Sequence, residues 1–123
     1  MVNIIAVDDE RDVKVLFEHF FHDEIDEGKV NLIFTQSGEN CLKQIPTLSG
    51  KIIVLSDINM PGMNGIELLK SINTKHPEVS VLLISAYDQN RYYDEMRANG
   101  AKGYVSKPVD FVALKEMVFA IAN

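Results

Sequence analysis

Three acids in a row, Asp8, Asp9 and Glu10, follow directly on the apolar stretch "NIIAV". Asp57 closes a second such stretch, "KIIVLSD", Ser85 closes "VSVLLIS", and Lys107 follows "GYVS". Taken singly these are weak signals, because an Asp or Ser ending an apolar run is ordinarily a cap or turn residue and a lone Lys a surface residue. Gathered by a fold, they acquire chemistry. Carboxylates of Asp8, Asp9 and Asp57 a few ångströms apart would repel by about 4 kcal/mol per close pair in a surface-like dielectric, so the cluster must hold a proton or a cation. A hard divalent ion, Mg²⁺ or Mn²⁺, held by one or two carboxylates, a backbone carbonyl and waters meets that need and leaves positions for phosphate oxygens. The carbonyl of Asn59, two residues past Asp57, can complete the coordination. With Lys107 and Ser85 opposite, the set suits phosphoryl transfer: cations neutralise phosphoryl oxygens, the hydroxyl adds a hydrogen bond, and a carboxylate acts as nucleophile to give an aspartyl phosphate. Asp57 is the better nucleophile, standing alone before the turn-rich "INMPGMNG". The adjacent Asp8 and Asp9 suit metal binding.

The elements that must bring these residues together are legible as an alternation. "NIIAV", "NLIFT", "KIIVLS", "VSVLLIS" and "GYVS" have strand length, and helical patterns separate them, the first carrying Val13, Leu16, Phe17, Phe20 and Phe21 at helical spacing. Strict alternation over five strands and five helices predicts an α/β fold: a flavodoxin-like (βα)5 three-layer sandwich around a parallel five-stranded sheet of order 2-1-3-4-5. Continuously apolar strands agree with a sheet covered on both faces. Asp12 is expected to cap the first helix and Ser37 the second; Pro61-Gly62 and Asn64-Gly65 mark a loop before the third, and Gly100 and Gly103 bracket the turn into the last strand. In such a sheet ligands bind beyond the carboxyl ends of the strands where strand order reverses. Strands one and three are neighbours there, so Asp8, Asp9 and Asp57 share one pocket, with Ser85 and Lys107 along its rim.

Composition narrows the partners. The chain has 123 residues, 46% of them hydrophobic and 24% charged, as in an ordinary globular domain. Its net charge of −6 and lack of a basic run argue against direct binding to nucleic acid or an anionic membrane. No apolar run reaches membrane-spanning length, and the N-terminus enters a strand within three residues, so the expected location is cytoplasmic. The single cysteine, Cys41, rules out an internal disulfide and reads as a small buried hydrophobe on a helix.

With these residues in place, the sequence resembles the receiver domain of two-component response regulators, close to the chemotaxis-regulator type, over essentially the whole chain. "VDDE", "SDINMPGMNG", "ISAY" and "GYVSKP" occur in order and on the right elements. The resemblance implies one receiver domain over 1–123 with Asp57 as phosphoacceptor, Asp8, Asp9 and the Asn59 carbonyl as metal ligands, and Lys107 as partner of the phosphoryl group. It further implies a cis peptide before Pro108, Ser85 as switch hydroxyl in place of the commoner threonine, and Tyr104 as the aromatic switch. The implied donor is a sensor histidine kinase or histidine phosphotransfer protein. The implied readout is the surface of the fourth helix, fifth strand and fifth helix, presented to a downstream protein or a fused output domain and serving in some relatives as a homodimer face. No enzymatic activity is implied beyond the domain's own phosphorylation and dephosphorylation. No output domain follows Asn123, which leaves a stand-alone regulator and a piece of a longer chain both open.

Two other functions fit the same fold, since fold does not dictate function. An FMN binder needs free backbone N–H groups in a Ser/Thr/Gly-rich loop after the first strand, where three acids would repel the phosphate. An Asp-nucleophile phosphatase of the haloacid-dehalogenase type carries a second Asp two residues on, where Asn59 stands. His19 and His22, three apart, lack further clustered ligands and read as solvated surface residues. Phe17, Phe20 and Phe21 read as packing rather than a cofactor slot, and "HDEIDEG" as a solvated helix end. Val15 and His19 are expected on the exposed side of the first helix, where receivers of this family meet kinases.

Overall fold

The computed structural model describes residues 1–86 and 93–123. β1 (Val2–Val7) leads through α1 (Val13–Phe20) and α2 (His22–Asp26) to β2 (Val30–Thr35), and α3 (Gly38–Gln44) with a short 3-10 turn (Ile45–Thr47) leads to β3 (Ile52–Asp57). Then come α4 (Gly65–Lys75), β4 (Ser80–Ser85), α5 (Tyr93–Ala98), β5 (Gly103–Ser106) and α6 (Phe111–Ala122). All four neighbouring strand pairs are parallel, in the order β2-β1-β3-β4-β5. This is the flavodoxin-like sandwich expected from the alternation.

Two apolar layers cover the sheet. Alternate residues of β1 divide between them: Ile5 and Val7 pack with Cys41, Ile66, Leu69 and Met96, whereas Ile4 and Ala6 pack with Phe17, Phe21, Leu114 and Val118. Helices α3, α4 and α5 therefore lie on one face and α1, α2 and α6 on the other. Every residue of β1, β3 and β4 is buried, while β2 and β5 at the edges are partly exposed. That difference follows from position in the sheet, since only central strands are covered on both faces along their whole length.

Three local expectations need correction. The first helical pattern is two helices rather than one, with Phe21 at the joint (φ −101, ψ 12), so the alternation contains six α-helices among the described residues. Accordingly, the expected fourth and fifth helices are α5 and α6. Asp12 makes no capping hydrogen bond with its side chain: its backbone is already helical (φ −66, ψ −20), whereas a capping residue needs an extended one. The first free N–H groups are met instead by backbone turns, Val13 N–H to Glu10 O (3.1 Å) and Lys14 N–H to Arg11 O (3.2 Å). Leu16, at core spacing, is 48% exposed because α1 buries only the stripe through Phe17.

Ser37 caps α3 as expected, accepting from Asn40 N–H at 3.2 Å. Asn64 and Glu67 form a reciprocal capping box at the start of α4, and Asp110 caps α6 by accepting from Val112 and Ala113 N–H at 3.1 Å. These caps fix where the helices begin after β3 and β5, the two strands that deliver Asp57 and Lys107. The expectation for Tyr87, the last residue of "ISAY", lies outside the described residues, as do residues 91 and 92 of "RYYDEMRAN", the stretch expected to form the fourth helix.

Candidate functional site

β1 and β3 lie side by side in the middle of the sheet, in register through Val7 and Ser56. One residue further on, Asp8 and Asp57 stand just past the last pair of the β1–β3 ladder, with Asp57 still paired to Ile84 of β4. One carboxylate oxygen from each of Asp8, Asp9 and Asp57 lies within 4.8 Å of the others. Asp8 and Asp57 are buried, at 5% and 7% exposure, and Asp9 is exposed, so the cluster opens outward along its Asp9 side.

On the far side of Asp57, β4 ends at Ser85, fully buried, whose carbonyl accepts the Lys107 N–H at 2.9 Å. This contact anchors the backbone after β5, and the Lys107 side chain reaches back to place Nζ 2.9 Å from Asp57 Oδ2. The Lys107–Pro108 peptide is cis. Tyr104, three residues before Lys107, is half-buried and packs against the layer formed with α3, α4 and α5.

Sequence reasoning missed the backbone half of this arrangement. Glu10 N–H donates to Asp8 Oδ1 at 2.9 Å, and Asn59 N–H donates to Asp57 Oδ1 at 3.3 Å. Both are the same local device, an Asp side chain accepting from the N–H two residues on, and an Asp opening a turn is the signal that could have found them. Asp57 is thus held by one donor on each oxygen, which fixes the plane of the carboxylate. Gly65 was also missed as more than a turn marker. A Cβ at Gly65 would lie 2.5 Å from the Asp57 carbonyl oxygen and 2.7 Å from Ile58 Cα, so the start of α4 rests directly on the backbone at the end of β3. Gly65 N–H closes the loop by donating to Ile58 O at 2.8 Å.

Among the described residues the pocket is an excess of acid around one cation, Lys107. Burial raises the Asp8 carboxyl above its ordinary value, and the nearby charges of Asp57 and Asp9 add to this against the Glu10 N–H and Lys107. Burial alone would lower Lys107, but the hydrogen bond and charge of Asp57, helped by Asp8 and Glu10, hold its ammonium above the ordinary lysine range. An acid driven toward its neutral form first by burial and further by neighbouring acids is a place where a divalent cation relieves repulsion. The all-oxygen donor set is that of a hard ion such as Mg²⁺.

Other candidates do not gather. His22 Nε2 faces Asp26 Oδ2 at 3.2 Å on the surface, and His19 stands edge-on to Phe20, so the two histidines turn to separate neighbours. Val15 and His19 are exposed on α1 as expected. Cys41 is fully buried, and burial pushes its thiol up to about 12. No helix among the described residues is long and apolar enough to cross a membrane.

A doubly wound parallel sheet with an acidic cluster and an opposing lysine at its switch point is the architecture of a signalling receiver. The chain belongs to the response regulator receiver domain family, whose family model matches residues 4–119. The response regulator GacA of Pseudomonas aeruginosa is 29% identical over 121 residues, covering 98% of this chain and 54% of that protein. The transcriptional regulatory protein DegU of Brevibacillus brevis is 34% identical over 88 residues, covering 72% of this chain and 37% of that protein. The chain thus spans about half, or less, of the length of these curated relatives. Among solved structures, the response regulator TrrA of Thermotoga maritima in complex with Mg²⁺ and BeF is 30% identical, with a TM-score of 0.79 over 98% of this chain and 99% of that one. The chemotaxis protein CheY4 of Vibrio cholerae shares the fold, with a TM-score of 0.85 at 22% identity over 98% of both chains.

Proposed function

We propose that residues 1–123 form a phosphoacceptor receiver domain that takes a phosphoryl group onto Asp57 from a sensor histidine kinase or histidine phosphotransfer protein. The observation that carries this reading is Lys107 Nζ lying 2.9 Å from Asp57 Oδ2 beside a cluster of three carboxylates. Asp8, Asp9, Asp57 and the Asn59 carbonyl would hold Mg²⁺ or Mn²⁺, and the ion when bound supplies positive charge to the transferring phosphoryl oxygens.

The chain's own residues do the rest. A carboxylate oxygen of Asp57 forms the new P–O bond while the P–N bond of the donor phosphohistidine breaks, and the leaving imidazole keeps the electron pair and takes a proton from solvent. Asn59 N–H and Lys107 orient the attacking carboxylate, and orientation is most of what catalysis of phosphoryl transfer requires. The Lys107 ammonium exchanges one carboxylate oxygen for phosphoryl oxygens as the product forms, and Ser85 adds its hydroxyl to them. The product carries roughly 1.5 to 2 negative charges if it resembles other phosphoryl groups. Ser85 moves toward it and Tyr104 follows, which changes the surface of α5, β5 and α6 presented to a downstream protein or an output domain. Such a domain catalyses only its own phosphorylation and dephosphorylation, and it acts in the cytoplasm.

The test is intact mass after incubation with acetyl phosphate, with and without Mg²⁺, beside an Asp57→Asn variant. The expected result is a gain of one phosphoryl group that needs Mg²⁺ and is absent in the variant. No gain in the wild type, or an equal gain in the variant, overturns the assignment. Sustained turnover of phosphomonoesters would favour a phosphatase.

A further inference from the structure

The carboxyl ends of β1 and β2 frame a second pocket, of about 300 Å³, which shares no residue with the acidic cluster or with Lys107. Arg11 and Lys14 reach it from the chain after β1; Gln36, Asn40 and Gln44 reach it from the chain after β2. Thr35, the last residue of β2, and the half-buried ring of Phe34 complete the lining. Asn40 and Gln44 stand one turn apart on α3, so both look out from the same side of that helix. The place is where a parallel sheet collects ligands, beyond the carboxyl ends of its strands.

Two observations mark this hollow as more than a surface dent. The Thr35 hydroxyl is buried without a hydrogen-bond partner in the protein, and among the described residues no other buried side-chain oxygen or nitrogen is left so. An unmet buried hydroxyl costs stability, and it stands out where nearly every such group is paired. The cations are also unneutralised. Arg11 and Lys14 form no ion pair, and the acids close to the lining in sequence, Glu10, Asp12, Glu18 and Glu39, neither line the pocket nor pair with these two. Every charged side chain in the lining is therefore basic, in a chain whose net charge is −6. The carboxamides of Gln36, Asn40 and Gln44 make no hydrogen bond within the described residues, so their N–H groups are available beside the cations.

Size and charge select the occupant. At about 300 Å³ the pocket lies at the lower end of the range for small-molecule sites, which suits a small ligand rather than a peptide or a nucleic-acid strand. Two cations with no acid between them balance a dianion. The planar fork of an arginine beside the point charge of a lysine is a usual clamp for phosphate, and a phosphate monoester carries roughly 1.5 to 2 negative charges at neutral pH where a carboxylate carries one.

We propose that this pocket binds a phosphate dianion, free or as the head of a small phosphate monoester, with Arg11 and Lys14 neutralising it and the Thr35 hydroxyl donating to one of its oxygens. Thr35 is part of the lining, so a change of rotamer brings its hydroxyl to an acceptor held there. The site borders the phosphorylation pocket without joining it: Asp8 N–H donates to Thr35 O at 3.2 Å across the strand ends. Binding here needs neither a divalent cation nor a covalent bond, so it stands apart from the chemistry at Asp57.

Backbone amide NMR spectra titrated with inorganic phosphate, without divalent cation and at constant ionic strength, test it. Saturable shifts are expected at Arg11, Lys14, Thr35, Gln36 and Asn40, with a Kd on the order of 1 mM, as two or three charge-assisted contacts in an open site allow. Arg11→Gln and Lys14→Gln, both at exposed positions, are each expected to weaken binding at least tenfold. Lys51→Gln removes the same charge at an exposed position before β3, at the opposite end of the sheet, and is expected to leave binding within twofold. Thr35→Val keeps the shape and deletes the hydroxyl. It is expected to raise the unfolding midpoint of the free protein and to weaken binding severalfold, whereas a merely structural hydroxyl would give the first effect without the second. Adenosine monophosphate separates the two sources: binding at least tenfold tighter than phosphate identifies the ester as the ligand, and equal binding identifies the free anion. Absence of saturable shifts at these amides up to about 20 mM phosphate overturns the proposal, since binding that weak is no better than a diffuse ion atmosphere. Shifts confined to the surroundings of Asp57 and Lys107, or a loss as large in Lys51→Gln as in Arg11→Gln, overturn it as well.

Discussion

Gly65 is the first residue of α4, and helix propensity alone predicts that Gly65→Ala stabilises the protein, by at most about 1 kcal/mol. The structure predicts the opposite sign. A Cβ there would sit 2.5 Å from the Asp57 carbonyl oxygen and 2.7 Å from Ile58 Cα, and both are backbone atoms that cannot swing aside as a flexible side chain would. Forcing a methyl group into a well-packed site costs about 1–3 kcal/mol. Both contacts fall below 3.0 Å and involve backbone, which puts the cost in the upper part of that range, and with a propensity gain of at most about 1 kcal/mol subtracted the net loss is about 1–2 kcal/mol. For a chain of this size that lowers the unfolding midpoint by roughly 4–8 °C. Relief must also come from moving either α4 or the end of β3, and Asp57 belongs to β3. The donor on its Oδ1, Asn59 N–H at 3.3 Å, sits in the loop between the two elements and would shift with them. Misplacement of a reacting group by about 1 Å can cost on the order of a hundredfold in rate, so phosphorylation by acetyl phosphate should slow well beyond what the stability loss explains. Thermal or urea unfolding read beside intact-mass phosphorylation rates measures both effects. A variant as stable as the wild type, or more so, would refute the reasoning from close contact.

Two further predictions rest on charge and burial. Asp8→Asn should be more stable than the wild type by about 1–2 kcal/mol near pH 7 without divalent cation, the usual range for relief of strain at a functional site. The folded-state pKa of Asp8 is raised, so its protonated form favours folding; that contribution is full below about pH 4 and is lost as pH rises through the folded value. The advantage of the variant should therefore vanish in acid and open as pH rises, and Mg²⁺ should narrow it by binding the wild-type fold. Urea unfolding across this pH range decides, and a variant less stable than the wild type at neutral pH without metal would contradict the repulsion argued for the cluster. Cys41, fully buried with its thiol at about 12, should resist a thiol-specific chromogenic reagent at pH 8 and react stoichiometrically once urea unfolds the chain. Complete labelling of the folded protein within minutes would show that the layer over Cys41 opens far more readily than its packing implies.

The parts of this molecule legible in its sequence are those that follow from side-chain type. β1, β3 and β4 announce themselves as unbroken apolar runs because they are buried on both faces, and Asp8, Asp57 and Lys107 follow because strand ends in a parallel sheet converge at the switch point. What stayed hidden depends on backbone groups. The joint at Phe21 leaves the apolar period intact, since Phe21 N–H still donates to Phe17 O at 3.0 Å, and a small bend in a continuing helical path has no compositional mark. Asp12 failed as a cap because its own backbone is already helical and Lys14 N–H, a donor it would serve, is met by Arg11 O. The site divides in the same way. Its charge lies in side chains that spacing could find, whereas its geometry lies in the N–H groups of Glu10 and Asn59 and in the missing side chain of Gly65. Substituting a charged residue should therefore change how the pocket responds to pH and metal. Disturbing Gly65 should leave that response in place and spoil the aim of Asp57, so the two kinds of variant separate the electrostatic part of the site from the positional part.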